Sequence, residues 1–363
     1  MEKVYFVNAR AKVTKPEEWY QPQLSLVNKL KRLIDESGIL DTISAGDIVA
    51  VKTHFGERGT TKTIRSVFIR AVVEKLKEIR AKPFVTETTG LGLTRLRSTA
   101  YGRLVIAEEN GYTQQTVSAP IIIADGLLGF DFVEVEINGK YLKKVYVAKA
   151  IAECDAVICC THFKMHMDAG IGGSIKNVGV GCVAKPSKFD VHIRDFPVIN
   201  ENCTKCGKCI DICPAKAIKD FKIDKSKCLK CLGCYEVCDF DAVELKWLRG
   251  KDVSDRIVEC AKGVLSVNSN FAYLNFLIDI TPHCDCHPYS DIAITPDIGI
   301  IASRDIVAID RASLDLYLKA ESIKDSLLAE NRFWEWTDPF GMISYAEEIG
   351  LGCSKYELVD LGI

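Results

Sequence analysis

The chain has 363 residues, enough for two domains or one large one, and 48% of them are hydrophobic, enough for a sizeable core. A formal net charge of −2 gives no global pull towards nucleic acid. No apolar run reaches the roughly 18 residues of a membrane span, and the opening Met1 to Val7 lacks the apolar centre of a secretory leader. A soluble, cytoplasmic protein with neither nucleic acid nor membrane as partner is therefore expected.

Val4 to Val7 reads as a first strand. Residues 23–36 read as a helix, with Leu24, Val27, Leu30, Leu33 and Ile34 on one face and Gly38 as its stop. Asp47 to Phe55 is a buried strand that turns polar at its end, where Lys52 and His54 share a face. Residues 64–80 form a second amphipathic helix, with Phe68, Val72, Leu76 and Ile79 inward. Pro83 to Thr88 is a strand running into Thr88-Thr89-Gly90-Leu91-Gly92, a turn rich in hydroxyls and free N–H groups. Residues 102–111 look helical, ended by Gly111. Strand-like segments recur at 121–123, 131–137 and 141–147, and Ala156 to Cys160 is short and wholly apolar.

From Thr161 to Met167 the pattern alternates. In an extended chain His162, Lys164 and His166 share one side, and Phe163, Met165 and Met167 the other. One side then packs while the other lines a cleft. Gly172 and Gly173 follow and open a helix with Ser174 and Lys176, an arrangement that suits a phosphate or carboxylate.

Cys203, Cys206, Cys209 and Cys213 follow C-x2-C-x2-C-x3-C, and Cys228, Cys231, Cys234 and Cys238 repeat it 25 positions on. Two residues between ligands let a tight loop wrap three corners of a 4Fe–4S cluster, and the fourth cysteine is carried away to the other cluster. Cys203, Cys206, Cys209 and Cys238 are thus assigned to one cluster, and Cys228, Cys231, Cys234 and Cys213 to the second. Zinc would pair C-x2-C units across a longer gap, and disulfides would need an oxidising compartment. Pro214 follows the first run, but Asp239 stands where a second proline is expected, which loosens that turn.

Beyond this run, Phe271 to Ile280 and Ile298 to Ala302 read as strands. Residues 305–320 read as a helix, with two more near 323–333 and 340–350. Between the strands lie the catalytic candidates His283, Cys284, Cys286 and His287. They allow a metal site, a thiol and imidazole redox site, or plain packing. In an extended segment the cysteines face away from the histidines, so one tetrahedral site from all four is not expected.

Strands alternating with helices imply an α/β fold, a mixed and mostly parallel sheet with helices on both faces. The simplest division is a discontinuous host domain, 1–199 plus 246–363, carrying a small α+β ferredoxin-like insertion over 200–245. The polar Asn200-Glu201-Asn202 suits an insertion point. Ligands of open α/β sheets sit beyond the carboxyl ends of strands. Lys52, His54, Thr88, Thr89, Gly90, Lys164, His166, Gly172, Gly173, Ser174 and Lys176 are therefore the cofactor-binding candidates, grouped as a cationic cleft for an anionic small molecule.

The chain resembles the domain-of-unknown-function 362 family. The matching stretches are Val51 to Glu57, Thr88 to Gly92, Gly172 to Lys185, His283 to Cys286 and Pro296 to Asp310, and many members carry the same inserted cysteine run. The resemblance implies a redox-linked cytoplasmic protein of anaerobes. The family is also distantly similar to lactate-racemase-type α/β proteins, whose nickel chemistry is not carried over. The expectation is an iron–sulfur oxidoreductase passing electrons between a ferredoxin-like partner and a flavin (FMN) or small-molecule site. The alternatives are a non-catalytic electron carrier or cluster-maturation scaffold, and an enzyme whose clusters are only structural.

Overall fold

The computed structural model describes residues 1–362. Its centre is an eight-stranded sheet. The strands are β1 (Glu2–Asn8), β2 (Ile48–Lys52), β3 (Lys82–Glu87), β4 (Ile121–Ile123), β5 (Ala156–His162), β6 (Phe271–Leu277), β7 (Gly299–Ser303) and β8 (Tyr356–Asp360). They lie in the order β8-β1-β7-β6-β5-β2-β3-β4. Only β7 runs against its neighbours, so the sheet is mixed and mostly parallel.

β5 and β6 are buried along their whole length, and a strand covered on both faces reads as a continuous apolar run rather than an alternating one. The pleat still sorts their side chains. Val157 and Cys159 join one core; Ala156, Ile158 and Cys160 join the other. Helices α1 (Leu26–Ser37), α2 (Ser66–Glu78) and α3 (Ala100–Glu109) cover the second core through Leu30, Phe68 and Ala107. Helices α4 (Ser174–Gly181), α6 (Lys251–Val267), α7 (Ile306–Lys319) and α8 (Pro339–Glu348) cover the first. Between α4 and α6 in sequence lies α5 (Lys185–His192). α4 and α6 approach closely because Gly179 leaves room; a Cβ there would meet the Ile257 carbonyl at 2.2 Å.

Several elements differ from the sequence reading. The segments at 131–137 and 141–147 pair with each other, Phe132–Glu136 against Lys144–Ala148, apart from the main sheet. Residues 323–333 form turns instead of a helix. Arg332 donates to the carbonyls of Tyr317 and Ala320 and stacks over the Tyr317 ring, which folds the segment back on the end of α7. α6 was not foreseen, because Asp255 and Glu259 sit on its buried side and blur the apolar period. Glu259 accepts from the backbone of Tyr141 and Leu142 and from the Tyr345 hydroxyl. α5 and the half-exposed edge strand β8 were missed as well.

The cysteine-rich lobe leaves the body through one narrow neck. Ile193 bridges Trp247, and Val198–Ile199 pairs antiparallel with Val243–Glu244. Inside it, the sequence repeat is a backbone repeat. Left-handed residues recur 25 apart at Lys205 and Lys230 (φ 59° and 56°), Gly207 and Leu232 (85° and 67°), and Lys216 and Asp241 (49° and 50°). These bends are what let each short loop curl back on itself.

Candidate functional site

From β2 the chain steps outward to β3 and β4; from β5 it steps the other way to β6. The crevice outside the carboxyl ends of β2 and β5 is therefore the switch point where open α/β sheets take ligands. A cleft of about 540 Å³ opens there, and Lys52, His54, Thr88, Thr89, Gly90, Lys164, His166, Gly172, Gly173 and Lys176 all line it. Cys286 and His287 lie on its wall.

The cations are not free. Glu87, at the end of β3, is buried and faces three of them. Its carboxylate lies 2.9 Å from Lys52 Nζ and 3.2 Å from Arg103 Nη2, and it also meets His54 Nδ1. Burial would raise its pKa, but Lys52, His54 and Arg103 together hold it well below the ordinary value. Asp285 does the same on the other side. It takes Lys164 Nζ at 2.6 Å and His162 Nδ1 at 3.0 Å. Against burial, these two hold its pKa at about 2. Asp125 binds the Thr89 amide and hydroxyl, while Lys188 donates to the Thr88 hydroxyl and Thr89 carbonyl. The cleft is thus a mosaic of ion pairs rather than the purely cationic surface expected.

Ser174 does not reach the cleft. Its amide and that of Ile175 donate to buried Asp310 at 2.7 and 2.8 Å, and its hydroxyl meets Asn275. The chain's own carboxylate fills the helix N-terminus that the glycine pattern assigns to a phosphate. Burial raises Asp310 to about 6.

The His283–His287 segment splits as its alternation requires. His283, His287 and Tyr289 form an aromatic cluster, with the His283 ring 5.5 Å from Trp334. Cys284 and Cys286 turn the other way to meet His166. Ligand atoms of His166, Cys284 and Cys286 lie within 4.8 Å of one another, close enough to share a metal ion. Lys176 Nζ stands 3.6 Å from Cys284 Sγ. A hydrogen bond from Cys286, with the charge of Lys176 and the nearby His166 ring, outweighs burial and holds the Cys284 thiol well below its ordinary pKa. The same bond, read from the donor, pushes Cys286 up.

The eight cysteines of the repeat line two separate cavities. Cys203, Cys206, Cys209 and Cys238 surround one, and Cys213, Cys228, Cys231 and Cys234 the other. Amides of Ala217, Gly233 and Ala242 donate to the sulfurs of Cys213, Cys231 and Cys238 at 3.2, 3.5 and 3.4 Å. Lys208 pairs with Asp239 across the lobe, tying the turn that lacks proline. The second cage abuts the cleft: Leu232 lines both cavities. Glu236 fastens this contact by accepting from the Leu93 and Thr94 amides at 2.6 and 2.8 Å.

Glu87, Arg103, Asp125, Lys188 and Asp285 are the site residues that sequence reasoning passed over. Glu87 and Asp285 lay inside segments already singled out, but their roles as counter-ions depend on partners far along the chain.

Fold and site together define a cysteine-rich α/β protein with a switch-point cleft that adjoins a thiol–imidazole group. The chain belongs to the family described as Domain of unknown function (DUF362), which matches residues 49–315. No curated protein matches the sequence. Among solved structures, the lactate racemase apoprotein from Thermoanaerobacterium thermosaccharolyticum aligns at 14% identity with a TM-score of 0.37, over 70% of this chain and 49% of that one. A structural-genomics protein from Thermotoga maritima aligns at 9% identity with a TM-score of 0.42, over 81% and 56%. The chain thus spans about half the length of the structures it matches. No helix among the described residues is long and apolar enough to cross a membrane.

Proposed function

We propose that the chain is an iron–sulfur oxidoreductase whose cysteine-rich lobe serves a redox site in the switch-point cleft. The observation that carries this reading is Leu232, one side chain shared by the walls of the second cysteine cage and the cleft. The lobe, taken as a unit from the neck at 198 to 244, fits two 4Fe–4S clusters. Each cage has four thiols, left-handed bends at matched positions and amides aimed at sulfur. A single zinc ion would instead draw its thiols together at bonds of about 2.3 Å. Among the described residues, the trio within 4.8 Å of one another lies elsewhere, at His166, Cys284 and Cys286.

Bound in these cages, the clusters supply one-electron storage and transfer. Cys206 is exposed, so the outer cage faces solvent and a ferredoxin-like partner. The inner cage faces the body. In the cleft, Lys52, Lys164 and Lys188 orient a polar small molecule, with Glu87, Asp285 and Asp125 as their respective counter-ions. Asp310 on the amides of Ser174 and Ile175 argues against a phosphate at that helix, and so against FMN anchored there.

The test is anaerobic purification followed by iron and sulfide analysis, electron paramagnetic resonance and extraction of small molecules. About eight irons per chain are expected. Zinc in both cages, or fewer than four irons after reconstitution, refutes the reading.

A further inference from the structure

The electron route above leaves one cluster of reactive groups unused. Cys284 and Cys286 stand one residue apart at the cleft, Cys284 buried and Cys286 on the wall. Two donors converge on Cys284 Sγ, the Lys176 ammonium at 3.6 Å and the Cys286 amide at 3.4 Å, and a ligand nitrogen of His166 lies within 4.8 Å.

The tautomer of His166 decides what this group does. Its Nδ1 accepts the amides of Asp168 and Ala169, both at 3.1 Å. The ring proton therefore sits on Nε2, and the imidazole offers a donor, not a lone pair, to the neighbouring thiols. A metal on Nε2 would need that proton moved to Nδ1, against two amide hydrogens; metal-binding histidines do the reverse and donate from the other nitrogen. The Lys176 ammonium would also repel a cation. The arrangement instead stabilises a thiolate, with the Cys286 thiol as its partner.

We propose that Cys284 and Cys286 form a two-electron dithiol–disulfide centre at the cleft. The proposal deepens the function above and rests on it only for the identity of the electron carrier. On oxidation, the Cys284 thiolate and the Cys286 thiol join through an S–S bond, and the Cys286 proton leaves to the cleft. Two electrons leave one at a time to an iron–sulfur carrier, reduced by one electron in each transfer. Reduction runs the same balance backwards. The sulfurs already lie within 4.8 Å of one another, and the disulfide brings them to about 2.0 Å.

Lys176 and His166 hold the reduced form as its thiolate, and stabilising the reduced form makes a disulfide more oxidising. Lys176→Met should therefore make the disulfide form about tenfold more readily, a fall of about 30 mV.

The test equilibrates the anaerobic full chain in graded glutathione and dithiothreitol redox buffers. Free thiols are trapped by alkylation, and the peptide holding Cys284 and Cys286 is weighed by mass spectrometry. The expected result is a reversible loss of two hydrogens within that peptide, following one two-electron transition. The transition should be absent in Cys284→Ser and shifted in Lys176→Met. Two alkylated thiols at every buffer ratio overturn the proposal. So does a stoichiometric metal that Cys284→Ser releases. Iron content measured on the same samples reports the clusters separately. A reversible disulfide in protein that binds no iron would sink the electron route and keep this centre.

Discussion

Glu87→Gln is the sharpest probe of the cleft. The substitution keeps the side chain's shape and removes its charge. Lys52 is fully buried and Arg103 nearly so, so two cations would lose their counter-ion with no access to water. Removing one partner of a buried ion pair destabilises by about 3–5 kcal/mol. Unfolding entropy of about 2.1 cal/mol/K per residue gives roughly 0.8 kcal/mol/K for a chain of this length, so Tm should fall by about 4–7 °C. Glu74→Gln removes a part-exposed carboxylate that pairs with Lys31 at 2.8 Å and Arg70 at 2.9 Å, and serves as the control. A surface pair contributes about 0–1 kcal/mol, so this Tm should move by about 1 °C at most. The assay is thermal unfolding followed by circular dichroism in anaerobically purified protein. The sign with pH follows from the depressed folded pKa of Glu87. Its contribution is complete above the ordinary value of 4.5 and disappears as pH falls through the folded value. Glu87→Gln should therefore lack part of the wild-type acid limb. Equal shifts in the two variants, or a Glu87→Gln Tm within 1 °C of wild type, would refute the idea of a charge-paired cleft.

Asp310 gives the opposite pH dependence. Its folded pKa of about 6 lies above the ordinary 3.8, so wild-type stability should rise as pH falls from about 6 towards 4, by at most about 3 kcal/mol. Urea titrations of Asp310→Asn should lack that rise. The crossed cysteine assignment predicts that Cys213→Ser and Cys231→Ser remove the same paramagnetic signal, and Cys238→Ser the other one; different signals for the first two would break it. Glu236→Ala deletes an anion that accepts two amides, each such bond worth about 1.5–3 kcal/mol, so hydrogen exchange at Leu93 and Thr94 should accelerate by at least tenfold. Gly179→Ala drives a methyl group into the Ile257 carbonyl and should destabilise by about 1–3 kcal/mol in chemical denaturation.

The sheet was legible because its signals are local. Residues 121–123 read as a strand and form one, and Phe163 and Met165 pack into the core while His162, Lys164 and His166 face the cleft, as their alternation required. The ligating candidates of β2, β3 and β5 converge because parallel strands deliver their carboxyl ends to one edge. What could not be read was the pairing. Lys52 and Glu87 are 35 positions apart, and Lys164 and Asp285 are 121, so nothing local in either segment announces that the charges cancel. The Gly172–Ser174 turn misled for the same reason. A glycine-rich helix start has one appearance whether a phosphate or Asp310 fills it. α6 escaped because a buried carboxylate, Glu259, interrupts its apolar face.

The slender neck at Ile193 and Trp247 has a mechanical corollary. A lobe hung from one hinge is located by its far-side clasp, which here is Glu236 gripping the Leu93–Thr94 loop. Small changes in that clasp would open or narrow the gap spanned by Leu232. A nearly buried glutamate at the cleft rim thus sets the separation of lobe and body.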